Sequence, residues 1–141
     1  MKLMMVAMLF CSSVAFAGGA SDGLATDKDF KIATDGSTLK VKAGAQGKLV
    51  LAVVGINGFK VSQETPFSAK LAPSAGLKLE TQQFARKDLV DPKALTPQFK
   101  TAFTASAKGA QTVKADLVFF LCTDKLCQRM TSSYEVAVTV E

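Results

Sequence analysis

The chemistry open to this chain centres on two cysteines. In the run Phe119-Phe120-Leu121-Cys122-Thr123-Asp124-Lys125-Leu126-Cys127, an alternating apolar segment leads into a C-x4-C spacing. A strand entering a tight turn brings the Cβ atoms of such a pair within bridging range. Histidine is absent from the chain, which removes Ser-His-Asp and Cys-His nucleophilic machinery, HExxH zinc sites and His2Cys copper sites. Two thiolates alone do not make a zinc site, so neither a metal nor another cofactor is expected. Two uses of the pair remain. As a structural staple, a loop this small contributes about 2 kcal/mol by chain entropy, against about 4.7 kcal/mol for a loop of about 100 residues. As a redox pair, a local bridge near the surface opens and closes without unfolding anything else.

Either use needs an oxidising compartment, and the N-terminus supplies the route to one. Lys2 is followed by a segment, Leu3 to Phe16, that is apolar apart from Ser12 and Ser13, and Ala15-Phe16-Ala17 forms an A-x-A cleavage site. Residues 1–17 therefore read as a secretory signal peptide, too short to span a bilayer, which takes roughly 20 apolar residues. Cys11 lies inside the removed segment. Phe10 before it is not the small residue that lipoprotein acylation requires, so Cys11 is a passenger. Cleavage after Ala17 leaves Gly18 to Glu141, and the loss of Lys2 lowers the net charge of +5 by one. The expected location is the periplasm or the exterior, with no stable membrane insertion after cleavage. The lysines are scattered singly, with only Arg86 and Arg129 beside them, which describes a solvated surface and argues against nucleic acid as a partner.

The elements that must position the cysteines are strands. Residues 18–29 are mostly small and polar and read as a flexible lead-in; residues 30–141 form one domain. Phe30 and Ile32, then Leu39 and Val41, look like short edge strands around the Asp35-Gly36 turn. Lys48 to Val54 is a near-continuous apolar run rich in β-branched residues, the pattern of a central strand. Asn57-Gly58 breaks it, and Phe59 and Val61 begin the next strand. Phe67 to Leu71, Leu77 to Leu79 and Phe99 to Ala105 follow. Val113, Ala115, Leu117, Phe119 and Leu121 share one face of a long strand, as do Tyr134, Val136, Val138 and Val140 of the last. No stretch of about twelve residues keeps a helical period. The expected fold is all-β: an immunoglobulin-like antiparallel β-sandwich of about seven to nine strands. Thr81 to Pro97 is the longest stretch without a strand pattern, punctuated by Pro92 and Pro97 and carrying Phe84. It is expected to be either a functional loop or a plain connection between sheets.

This layout resembles the N-terminal periplasmic domain of the thiol:disulfide interchange protein DsbD and its stand-alone relatives. The resemblance runs over most of Gly44 to Glu141. It rests on Phe99-Lys100-Thr101-Ala102-Phe103, the Gly109 turn, a long strand ending in Cys122, Cys127 close behind, and a closing strand. It implies an immunoglobulin-like fold in which Cys122 and Cys127 carry electrons. The partners it implies are a membrane thiol reductase on one side and periplasmic thioredoxin-fold proteins on the other. It also implies a cap loop whose aromatic residue shields the disulfide, with Phe84 at the matching distance upstream, and Cys127 as the first point of attack. The chain departs from the family in a spacer one residue shorter, in Gln82 before the cap aromatic, in Phe59 and Val61 where tyrosines are expected, and in Gln128-Arg129-Met130 where prolines follow the second cysteine.

The residues themselves add a tuning set. Lys125 within the turn and Arg129 just after it favour a thiolate, and Asp124 opposes it. The reading is thus an exported thiol:disulfide electron carrier using Cys122 and Cys127 with Phe84 as shield. The alternative is a non-catalytic periplasmic β-sandwich that binds a partner protein and keeps the disulfide as a structural clip.

Overall fold

The computed structural model describes residues 24–141. The expected signal peptide, Cys11 and the start of the lead-in lie outside the described residues. Ten strands occur in order: β1 (Phe30–Ala33), β2 (Lys40–Val41), β3 (Gln46–Gly55), β4 (Lys60–Val61), β5 (Ser68–Pro73), β6 (Leu77–Leu79), β7 (Gln83–Ala85), β8 (Gln98–Ala105), β9 (Gly109–Cys122) and β10 (Cys127–Val140). They form two sheets, one in the order β1-β3-β8-β6 and one in the order β2-β10-β9-β5-β7, with β4 also on β9. The all-β, immunoglobulin-like sandwich expected from the alternation is the architecture observed, with ten strands in place of seven to nine.

The core is made by the alternation itself. Along β9, Val113, Ala115, Leu117, Phe119 and Leu121 are almost wholly buried, while Lys114 and Asp116 between them are exposed. Facing them from the other sheet stand Leu49, Leu51 and Val53 of β3 and Phe99 and Phe103 of β8. The two inner faces make one continuous core, as the packing of two sheets requires. The run Leu49–Val53 is buried on both faces of β3. Beside that run the edge of β3 is met by Ser37, whose hydroxyl donates to the Val50 carbonyl (2.8 Å) and accepts from the Val50 N–H (2.8 Å). That hydroxyl continues the ladder beyond the point where β1 stops pairing with β3 at Ala52.

Two elements depart from the sequence expectation: the stretch after β6, and β10, which begins at Cys127, upstream of the alternation that starts at Tyr134. Thr81 to Pro97 is not free of strand: Gln83–Ala85 pairs with β5, and Arg86–Asp88 makes one 3-10 turn. Three residues with one large apolar side chain are too short a period to read, and the pairing partner lies upstream. At the N-terminal end, the Gln128 side-chain amide accepts from the Ala25 N–H (2.7 Å) and donates to the Ala25 carbonyl (3.1 Å). This amide imitates a strand partner, and Ala25 is buried beside it.

Candidate functional site

Cys122 ends β9 and Cys127 begins β10, directly opposite each other in a ladder that continues through Val140↔Gly109. They are joined by a disulfide, with Cα atoms 4.0 Å apart. The turn between them is held by the Thr123 N–H donating to the Leu126 carbonyl (2.8 Å). The Thr123 hydroxyl accepts from the N–H groups of Lys125 and Leu126 (3.3 Å each). Because Thr123 and Leu126 form a hydrogen-bonded pair, the alternation of an antiparallel ladder makes Cys122 and Cys127 a non-hydrogen-bonded pair, where facing side chains stand closest. Both sulfurs therefore lie on the outer face of the second sheet, opposite the Leu121 core face. Cys122 is half-buried and Cys127 exposed.

On its other side Cys122 faces Lys60 of β4. The Asn57-Gly58 turn aims β4 there: both residues adopt the left-handed region (φ 56° and 84°), and the Asn57 amide donates to the Lys28 carbonyl (3.1 Å). Lys60 and Cys122 line a cleft of about 260 Å³ that also takes in Glu64, Leu95 and Asp124. Leu95 is a half-exposed apolar side chain on the 89–97 loop. That loop is tied to the cleft by the Gln63 amide, which donates to the Lys93 carbonyl. Arg86 ties it again: its guanidinium donates to the carbonyls of Thr65 (2.6 Å), Ser62 (2.7 Å) and Pro92 (2.9 Å).

The sequence-derived site residues divide. Cys122 and Cys127 come together. Lys125 lies in the turn between them, exposed, and Arg129 stands exposed on the outer face two residues after Cys127. Phe84 does not join them. Its ring is 4.7 Å from that of Phe99 and it is 6% exposed, part of the core. Phe84 pairs with Ala69, which pairs with Leu117, five residues from Cys122 along β9. At about 3.4 Å per residue that is about 17 Å. The shield reading of Phe84 is corrected by this placement: the short strand β7 turns its middle side chain inward, as the pleat requires. Among the described residues, no aromatic ring lines the cleft. Lys60 and Leu95 were missed because neighbours across a sheet and between loops leave no local spacing signal.

No family model and no curated protein matches this chain. Solved structures do. A conjugative transposon lipoprotein from Bacteroides eggerthii is 11% identical over 75% of this chain and 96% of its own, with a TM-score of 0.42. A lipoprotein from Bacteroides thetaiotaomicron is 19% identical over 79% and 82%, with a TM-score of 0.39. A PapD-like domain of human CEP192 is 9% identical over 99% and 98%, with a TM-score of 0.41. No functional conclusion attaches to likenesses of this level. The chain is an immunoglobulin-like β-sandwich; the narrower resemblance to DsbD rests on sequence features alone. Among the described residues, no helix is long and apolar enough to cross a membrane.

Proposed function

We propose that this chain is an exported, non-catalytic β-sandwich that binds a partner protein at the hairpin end, with Cys122–Cys127 as a local clip. The observation that carries this reading is the position of the bridge. It links residues already opposed in a long hairpin ladder and closes only the Thr123–Leu126 turn. It therefore stiffens the rim of the cleft more than it holds the fold. The cleft offers a partner one apolar contact, Leu95, and charges of both signs, Lys60 against Glu64 and Asp124. Export is supported by the A-x-A site after a short apolar run and by a disulfide of ordinary cross-strand placement.

A second reading, the electron carrier, is favoured by one observation: the exposed Cys127 is open to attack while Lys60 flanks Cys122 as a leaving group. In that reaction a partner's thiolate attacks the Cys127 sulfur, and the Cys122 sulfur departs as a thiolate stabilised by nearby cations. The partner's second thiolate then attacks its own sulfur in the mixed disulfide and releases Cys127. The partner's dithiol is oxidised, and Cys122 and Cys127 are reduced by two electrons. Lys125 and Arg129 act in the same sense as Lys60, and Asp124 opposes them.

The reduction potential of the pair, measured by equilibration with glutathione and with a thioredoxin-fold protein, separates the readings. A clip is expected below about −300 mV; a carrier falls between about −120 and −270 mV, in the range of exchange catalysts.

A further inference from the structure

β10 is the strand beside the edge of the second sheet, and β2 covers only its last residues. The pairing is Thr139↔Lys40 and Val140↔Val41. The N–H of Thr139 donates to Leu39 (2.9 Å) and that of Glu141 to Val41 (2.8 Å). Odd-numbered residues of β10 thus turn their main-chain groups away from β9, and even-numbered ones bond to it. The ladder with β9 has no bulge, so the same parity holds back to Cys127. The main-chain N–H and C=O groups of Arg129, Thr131, Ser133, Glu135 and Ala137 consequently line an edge. Among the described residues, no strand or main-chain group pairs with it. All five residues are exposed.

Natural edges are usually blunted by proline, lysine, a bulge or a short length. Cys127 to Val140 contains neither proline, glycine nor lysine. What it does contain is one cation and one anion, Arg129 and Glu135. Neither is in an ion pair; among the described residues the only such pair joins Lys40 to Glu141.

We propose that this edge receives the same edge of a second copy of the chain, antiparallel, about a two-fold axis at Ser132. Two-fold pairing of one strand with itself is antiparallel and self-complementary. In the register centred on Ser132, Arg129 of each copy stands opposite Glu135 of the other, and Thr131 opposite Ser133. All four of these residues carry outward main-chain groups, so each pair exchanges two hydrogen bonds. The neighbouring registers match no charges: centred on Thr131, Arg129 meets Ser133, and centred on Ser133 it meets Ala137. Opposite charges directly across a sheet are stabilising and like charges destabilising. That difference selects the Ser132 register. The two six-stranded sheets then become one, and the hairpin ends with their clefts point in opposite directions.

Sedimentation velocity of the oxidised protein, from low micromolar to millimolar, tests this with Cys122–Cys127 closed and so independently of the role of the bridge. The wild type is expected to show a monomer–dimer equilibrium. Arg129→Glu and Glu135→Arg each set like charges together at both ends and weaken it by about tenfold. The double swap restores it. In addition, Ser132→Cys is expected to give a reducible covalent dimer, because the two-fold axis sets this position against itself, and Thr131→Cys is not. Far-UV circular dichroism confirms that each variant is folded. A wild type that stays monomeric throughout, a double swap no better than the single variants, or cross-linking through Thr131→Cys in preference to Ser132→Cys overturns the proposal.

Discussion

Replacing Phe84 by alanine tests whether the ring belongs to the core or to the bridge. An aromatic side chain buries about 150–250 Å², and Phe84 is only 6% exposed. At about 25 cal/mol per Å², full burial of the side chain is worth about 4–6 kcal/mol. Alanine keeps the Cβ, and the ring contact with Phe99 at 4.7 Å is lost, so about 3–5 kcal/mol is the expected cost, as for other Phe-to-Ala core truncations. With about 2.1 cal/mol/K per residue of unfolding entropy, a domain of this size loses about 4 °C of Tm per kcal/mol. The midpoint should fall by about 12–20 °C. The assay is thermal and urea unfolding, run beside the rate at which a small thiol reduces Cys122–Cys127 in the folded state. That rate should be unchanged, since the ring lies about 17 Å along the sheet from the bridge. A loss under about 1 kcal/mol together with faster reduction would refute the placement and return Phe84 to the role of shield.

Leu117→Ala should cost about 2–5 kcal/mol, because Leu117 sits at 1% exposure between the sheets; a loss under about 0.5 kcal/mol in urea unfolding would invert the register of β9. Gly55→Ala should cost about 1–3 kcal/mol, since a Cβ there would lie 2.4 Å from the Phe59 carbonyl oxygen, a main-chain atom that cannot step aside; unaltered unfolding would show that the β3–β4 connection is loose. The Asp29 carboxyl is held below the ordinary carboxylate range, chiefly by the Thr26 N–H donated to it (2.8 Å), with Asn57 and the Thr26 hydroxyl adding to this. A lowered folded-state value contributes stability that is present above the unfolded value and lost as the pH falls through the folded value. Asp29→Asn should flatten the acid limb of stability measured from neutral pH to strong acid, and an unaltered limb would count against the turn.

What the sequence made legible follows from how local each signal was. β9 and the second half of β10 could be read residue by residue, because the alternation of Val113 to Leu121 runs through nine consecutive positions and that of Tyr134 to Val140 through seven; the first half of β10, Cys127 to Ser133, is mostly polar and carries no such pattern. The bridge was legible too, because both cysteines sit within one hairpin. β7 was not: Gln83–Ala85 offers a single large apolar side chain, and only its register on β5 makes it a strand. That is also why Phe84 read as a loop aromatic. Lys60 reaches Cys122 through pairing across more than half the domain, and Leu95 through loop contacts, so neither association exists in the order of the residues.

Arg86 has a wider consequence. Its guanidinium is spent on three main-chain carbonyls, those of Ser62, Thr65 and Pro92, so the knot it ties is indifferent to the side chains at those positions. A planar fork of donors can do this, and a lysine ammonium cannot reproduce its geometry. The tip of the sandwich thus has a fixed frame whose outward residues are free to be exchanged. A library randomised at Glu64, Lys93 and Leu95 would vary the surface of the cleft while Gln63 and Arg86 keep the loops on their path, which makes this end of the domain a natural platform for engineered binding.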